Sequence, residues 1–524
     1  MSGSALPAVA GLVRSSGAAP QRTGGMSKWW PLFTITVFAA VLRLGTLGSQ
    51  SFWYDEAFTP VHVLRAGLGA TLHNVAHTEN TPPLWYVLEW AASRVLGTGV
   101  VALRLLSALA GIATVPVAWA IACELAGRRA AIVTAALLAS SPLLVWYSQE
   151  ARAYGLFVLT ASLALLCFLR ALREPSTRRL AAFALTASLA LLTHYFAVFL
   201  LIPMVLWLVG SVLPKGSHAE RSPQERTANP RDLPRVLCAV ALPVLVGLAL
   251  IPLILAQGGH GTQWIGEWAL ARRLEAIPQY YLTGYTGAAL GHGVELLVLL
   301  AILAGFGYGL WCTLTAREER GALIALTVAA AGVLIPIVLA LFGADYLAPR
   351  NLVAAMVPVS ALLAIVIAAQ RTGRVGMGLA GLLVLTFLVL TIDVDLSPRL
   401  QRGDWAAVAT ALRAAQPNHV ITTVELGAAP LEYYLPPLRN LARQSSVTVT
   451  EVDETGYAPL RKSAGRPPAP GFHLSERRNI HGLIVYRFTS SAPVTISERM
   501  LREHVITLAR PEVLVPVSPT GKTT

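Results

Sequence analysis

Long apolar runs dominate the chain, and polar residues collect in the gaps between them. The runs fall at 29–47, 101–124, 130–147, 153–170, 179–193, 196–213, 236–256, 292–314, 321–342, 352–369 and 375–392. A membrane-crossing helix needs about 20 mostly apolar residues, at about 1.5 Å rise each across about 30 Å of hydrocarbon. The pattern therefore predicts about eleven crossings within residues 29–393. The segment 82–97 (PPLWYVLEWAASRVLG) is also apolar, but it is short and carries Glu89 and Arg94. It is expected as an amphipathic juxtamembrane helix on the outer surface, part of an outer loop over 48–100. Beyond residue 393 no spanning run recurs. Residues 404–415 read as an amphipathic helix, and 419–424 and 482–488 as strands, which predicts a small α/β domain over 394–524. Residues 1–28, rich in Ala, Gly and Ser, read as a disordered cytoplasmic tail. Their apolar stretch at 5–13 lacks the basic start of a cleaved signal peptide.

Composition supports the membrane reading. Hydrophobic residues make up 55% of the chain and charged residues 13%, with a mean hydropathy of +0.58. Soluble domains carry roughly 25% charged residues. The net charge of +13 suggests a nucleic-acid partner at first sight, but the basic residues form no stripe, so none is expected. They sit instead in alternate gaps: Arg128 and Arg129; Arg170, Arg173, Arg178 and Arg179; the stretch 214–235; Arg317 and Arg320; Arg371 and Arg374. The Lys/Arg bias makes these gaps cytoplasmic, together with the N-terminus, and puts the C-terminal domain outside. The four cysteines lie in apolar runs without a CxxC pair, so neither a disulfide framework nor a zinc site is indicated.

The opposite gaps gather the unusual residues. Phe52-Trp53-Tyr54-Asp55-Glu56 follows the first run, and His77-Thr78-Glu79-Asn80-Thr81-Pro82-Pro83 lies further along the same loop. Arg104 opens the second run, Gln149-Glu150-Ala151-Arg152 turns between the third and fourth, and His194-Tyr195 follows the fifth. Residues 257–291 add Arg272 and Arg273, and Asp345-Tyr346 and Arg350 form the last turn of this set. Singly, each has a plain reading as solvated loop, snorkelling arginine, helix cap or aromatic belt. Together they put carboxylates beside arginines at the membrane–water boundary. An Asp there is suited to be general base on a hydroxyl, and Arg, His and Tyr to hold a phosphate leaving group. A divalent metal near Glu79 and His77 is compatible by ligand type.

The order of these motifs resembles the GT-C glycosyltransferases of the protein O-mannosyltransferase and aminoarabinose-transferase type, the glycosyltransferase family 39-like group. The resemblance covers about residues 29–393 and rests on Arg43 in the first run, Asp55-Glu56, the PPLWY segment, Arg104-Leu-Leu-Ser-Ala, YSQEARAY, Thr193-His-Tyr and Pro349-Arg-Asn-Leu. It implies a sugar moved, with inversion, from a polyprenyl-phosphate donor on the outer side of the membrane. Asp55 then matches the essential carboxylate, with Glu56 in support. Arg104, Arg152, Arg272 or Arg273, Arg350, His194 and Tyr346 become candidates for the donor phosphate; Arg152 alternatively serves the structure around Asp55. The family's Arg-Tyr-Leu is here Arg350-Asn351-Leu352, with Tyr346 as substitute, and Arg402-Gly-Asp-Trp405 resembles bacterial members with a small outer α/β domain. The implied acceptor is a cell-envelope glycan, a lipid or a protein. A flippase of lipid-linked sugars is the alternative, and a membrane scaffold the third reading.

Overall fold

The computed structural model describes residues 29–213, 232–260, 262–284, 291–412, 418–435, 437–507 and 510–517. The tail 1–28 and most of the basic stretch 214–235 lie outside them. The chain opens with α1 (Trp30–Leu44), followed by α2 (Tyr54–Phe58), which continues as a π turn (Thr59–Val63). Then come α3 (Leu68–Thr78), α4 (Leu84–Leu96), α5 (Val100–Leu125), α6 (Arg128–Ser140), α7 (Pro142–Ser148), α8 (Tyr154–Arg173), α9 (Thr177–Thr193), α10 (Ala197–Val212) and α11 (Leu233–Gln257). Two short helices, α12 (Gln263–Glu267) and α13 (Leu270–Thr283), lead to α14 (His292–Trp311) and α15 (Ala316–Leu341). A 3-10 turn (Pro349–Ala355) runs into α16 (Met356–Ile367), and α17 (Gly373–Leu396) ends the bundle.

Every apolar run predicted to cross is helical. Seven of these segments are long and apolar enough to span a membrane, or eight if the bent pair α6–α7 is one span. The runs at α1, α9 and α10 give shorter helices of 15, 17 and 16 residues. The 13-residue α4 is too short to cross, as expected of 82–97. The α5 and α8 helices pack closely against each other, while α11 and α14 bury only 17% and 11% of their apolar windows. Their exposed Leu and Val side chains are those of lipid-facing helices.

Two local features set the site. Pro142 has no N–H to donate, so the helix breaks at Ser141 and α7 leaves at 57° to α6. Arg43, buried in α1, donates to the carbonyls of Leu138 and Ala139 at 3.0 Å each and to Ser148 Oγ at 3.2 Å. The break thus keeps its polar groups satisfied inside the bundle. The Arg-rich gaps meet at one end: Arg129 donates to the Gly373 carbonyl, Arg317 to the Cys123 carbonyl, and Arg371 to Thr313. The connections carrying the site lie at the other end.

The C-terminal domain begins with α18 (Trp405–Leu412), β1 (His419–Val424), α19 (Glu425–Tyr434), β2 (Leu438–Asn440), β3 (Ser446–Tyr457), β4 (His473–Ile480), β5 (Leu483–Ser497), α20 (Glu498–Glu503) and β6 (Pro511–Pro516). The sheet order is β2-β6-β1-β3-β5-β4, with β1 and β3 parallel and the other neighbours antiparallel. Strand 419–424 is where the pattern predicts it. The strand predicted at 482–488 is the first part of the longer β5. The pattern does not predict β2, β3, β4 and β6: β4 is a largely exposed edge strand, β2 and β6 are short, and in β3 the alternation of Val447 and Val449 is interrupted by the irregularity before Glu451. This domain is seated on the site end: α19 packs on α2, Tyr434 Oη accepts from the Phe52 N–H at 2.8 Å, and Tyr433 Oη donates to the Thr98 carbonyl at 2.8 Å.

Candidate active site

Asp55 and Glu56 sit in the first turn of α2, where the unpaired N–H groups of a helix start favour carboxylates. Successive residues on a helix point about 100° apart, so the two side chains part company. Glu56 turns inward and is fully buried. Arg104, from the first turns of α5, clamps it through two bonds of 2.7 Å. The remaining donors of Arg104 go to the carbonyls of Leu47, Gln50 and Ser51 at 2.8–3.1 Å. That accounts for all five guanidinium N–H groups. The Ala151 N–H adds a 2.9 Å bond to Glu56. Burial alone would raise the Glu56 carboxyl, but Arg104 and Arg402 outweigh it and hold the group below the ordinary carboxylate range.

Asp55 turns outward. Its Oδ2 meets Arg350 Nη1 at 2.6 Å, and both side chains keep some access, 18% and 17%. Arg350 also lies over the Trp264 ring, 5.0 Å from its centre. Arg152 pairs with Glu79 at 2.9 and 3.2 Å and approaches the Asp55 carbonyl at 3.5 Å; Tyr86 Oη donates to Glu79 at 2.6 Å.

His194 caps α9 and is buried, stacked on Phe157 at 4.6 Å. Burial, then Arg350 and Arg152, push its imidazole down to about 3, so the ring is neutral. Nδ1 accepts from the Phe196 N–H at 3.2 Å, which leaves the ring proton on Nε2, and Nε2 has no protein partner among the described residues.

The other expected phosphate ligands fall outside this group. Arg273 is locked to Asp345 at 2.6 and 2.7 Å and to the carbonyls of Trp268 and Leu347. Its neighbour Arg272 is exposed, as is Tyr346. Around Glu79 the donor set does not fit a metal: both of its oxygens are engaged by Arg152 or Tyr86, and His77 is an exposed side chain bonded to the His73 carbonyl. The tightest His/acid group among the described residues is His419, Glu451 and Asp453 in the C-terminal domain. There the Arg487 guanidinium already binds Glu451 and Asp453 at 3.0 Å, where a cation would need to sit.

Glu79, Glu150 and Arg402 pair with residues of the candidate site, although the sequence offered Glu79 only as a metal ligand and gave Glu150 and Arg402 no role of their own. Glu79 and Glu150 stand inside the HTENTPP and QEAR segments, so their positions were visible while their partners were not. Arg402 comes from the loop that opens the C-terminal domain, more than two hundred residues from the nearest of its partners.

Residues 80–223 match the family model described as dolichyl-phosphate-mannose-protein mannosyltransferase. The fold superposes on the crystal structure of ArnT from Cupriavidus metallidurans in the apo state, with a TM-score of 0.53 and 13% identity over 88% of this chain and 98% of that one. The same protein bound to undecaprenyl phosphate superposes with a TM-score of 0.51 at the same identity and coverage. This chain has the GT-C fold. No curated protein sequence matches it. The family-model match contains PPLWY, Arg104, YSQEARAY and His194.

Proposed function

We propose that this multi-pass membrane protein transfers a sugar from a polyprenyl phosphate to a hydroxyl of an envelope glycan, lipid or protein. The Arg-rich end of the bundle faces the cytoplasm, by the charge bias of its connections, and transfer occurs at the outer end. Eleven crossings fit that orientation, with the N-terminus inside and the C-terminal domain outside.

The observation that carries this reading is the Asp55–Arg350 pair. Its neighbours Glu56–Arg104 and Glu79–Arg152 are closed, largely buried ion pairs, whereas Asp55 and Arg350, 2.6 Å apart, stay partly accessible. A lipid phosphate entering beside Arg350 offers it a second anion and frees the Asp55 carboxylate. Asp55 then takes the proton of the acceptor hydroxyl. The acceptor oxygen bonds to the anomeric carbon, the bond from that carbon to the phosphate oxygen breaks, and its electron pair leaves with the polyprenyl phosphate. One displacement of this kind inverts the anomeric centre. Arg350 and the Nε2–H of His194 meet the growing phosphate charge. Arg104, Arg152 and Arg273, engaged by protein acceptors, are positioning residues here; Arg272 and Tyr346 are left for the rim. The likeness to an ArnT that binds undecaprenyl phosphate supports the donor class, and the family-model description supports mannose as the first sugar to try. The flippase reading has less support, because the paired charges gather at one end of the bundle rather than at its middle.

The test is Asp55→Asn in the full chain, assayed in membranes with a panel of polyprenyl-phosphate sugars. The substitution keeps the size of the side chain and removes the base, so transfer is expected to fall by roughly 10²–10⁴-fold. Undiminished transfer sinks the assignment. A strain lacking the protein is expected to accumulate the unused donor, which mass spectrometry of its lipids would identify.

A further inference from the structure

Arg402 lies in the loop that opens the C-terminal domain, yet its side chain lies inside the membrane domain's site with 2% exposure. Its Nη2 donates to Glu150 Oε2 at 3.0 Å and approaches the Trp146 carbonyl at 3.4 Å. Its Nε stands 3.7 Å from Glu56 Oε2, and the guanidinium lies 4.1 Å over the Trp146 ring. Its backbone N–H donates to Gln50 Oε1 at 3.2 Å. Arg104, Glu56, Arg402 and Glu150 thus alternate in sign as a buried row. Glu56 is one residue from Asp55, and Glu150 is two from Arg152, which reaches the Asp55 carbonyl. The row ties the helix bearing the proposed base to the turn behind it, and its third member comes from the other domain.

We infer that Arg402 is a positioning residue of the transfer site, so that the C-terminal domain completes that site by holding Glu56 and Glu150 as one charge-paired unit. This rests on the transfer reading above. The alternation matters because a buried carboxylate that loses its cation takes up a proton or forces the structure to move. Glu150 faces Arg402, Glu56, Asp55 and Arg350, together with the phenols of Tyr147 and Tyr154; Arg104 is the remaining charge of the row. Burial raises its carboxyl to about 7, with Arg402 as the main opposing influence. Removing Arg402 therefore moves the titration of Glu150 further up. Protonating Glu150 removes a negative charge near Arg350, so anion binding there tightens as pH falls through the Glu150 titration.

The experiment measures undecaprenyl phosphate binding to the solubilised full chain from pH 5 to 9, for the wild type, R402M, R402K, E150Q and R402M/E150Q. The titration of the phosphate itself is common to all five, so differences between the profiles belong to the protein. In R402M the midpoint is expected to rise by about one pH unit or more, which is a tenfold change in the proton equilibrium. R402K, which keeps the charge, is expected to return it part of the way. E150Q is expected to remove the Glu150 contribution in both backgrounds, so that R402M then causes no further shift. Transfer by R402M at neutral pH is expected to drop roughly tenfold or more. An R402M profile that superimposes on the wild type overturns the inference. So does a lost activity with an unmoved profile, because that is what mere misfolding gives. A wild type that neither binds undecaprenyl phosphate nor transfers sugar overturns the functional reading and this inference with it. Normal wild-type binding with superimposed profiles overturns this inference alone.

Discussion

Glu56 and Asp55 are neighbours in sequence with opposite fates. Glu56 gives both oxygens to Arg104, while Asp55 meets Arg350 through Oδ2 at 2.6 Å and stays partly accessible. The contrast turns on where each partner comes from. Arg104 belongs to a helix that packs behind α2, and Arg350 to a turn at the rim of the bundle. Removing a buried cation with five bonds leaves the buried Glu56 carboxylate with Arg402 alone, 3.7 Å away. Arg104→Met is therefore expected to destabilise the protein by about 3–5 kcal/mol, read as a fall in thermal midpoint. The double substitution with Glu56→Gln is expected to be milder than Arg104→Met alone, since it removes both charges. A double variant worse than the sum of the singles would count against the pairing.

At the scale of elements, the break between α6 and α7 decides where the QEAR turn stands. Gly111 on α5 makes room for it. A Cβ at that position would lie 2.0 Å from Ser148 Oγ and 3.1 Å from Arg43 Nε. Ser148 is bonded to Arg43, which satisfies the carbonyls freed at the break, so the intrusion would disturb the cap and the turn together. Gly111→Ala is expected to cost about 1–3 kcal/mol and to lower transfer severalfold through the displaced turn. Thermal unfolding and an assay of the same preparation check this. Gly247→Ala on α11, where the added Cβ meets nothing within 4 Å, is the comparison and is expected to leave both unchanged.

At the scale of the molecule, the C-terminal domain is held to the bundle by polar contacts around an apolar patch. Phe52, Ala57 and Leu103 of the membrane domain cluster with Ala429, Tyr433 and Tyr434 of the outer one. Replacing both tyrosines with Phe keeps the patch and removes two hydrogen bonds, leaving the Phe52 N–H without its acceptor. A buried donor left unpaired costs about 1–3 kcal/mol. The Tyr433→Phe/Tyr434→Phe protein is expected to expose the junction around residues 397–404 to added protease, with a parallel loss of transfer. Full protection with full activity would mean that these bonds do not hold the domain.

How much of this was legible in the sequence follows from the range of the forces involved. Spans are set by the hydrophobicity of some twenty consecutive residues, a local property, so the apolar runs and the short, charged 82–97 could be read directly. The end of the bundle that would carry the site followed from the alternation of Arg-rich gaps. Strands β2 and β4 were not legible because a sheet edge needs no apolar repeat; in β3 the alternation of Val447 and Val449 breaks at the irregularity before Glu451, and β6 is only six residues long. The site divides in the same way. Asp55, Arg350 and His194 could be named in advance, because ionisable residues beside hydrocarbon are costly and therefore conspicuous. Which arginine faces which carboxylate could not. Arg104, Arg152 and Arg273 look alike in sequence, and the fold turns each onto a different acceptor. Arg402 depended on a contact between domains. The sequence by itself determined the apolar helices, the gathering of charge in alternate connections and the separate C-terminal domain. Only the tertiary structure decided the pairing of those charges, because an ion pair at 3 Å depends on how distant segments pack and not on the order of residues along the chain.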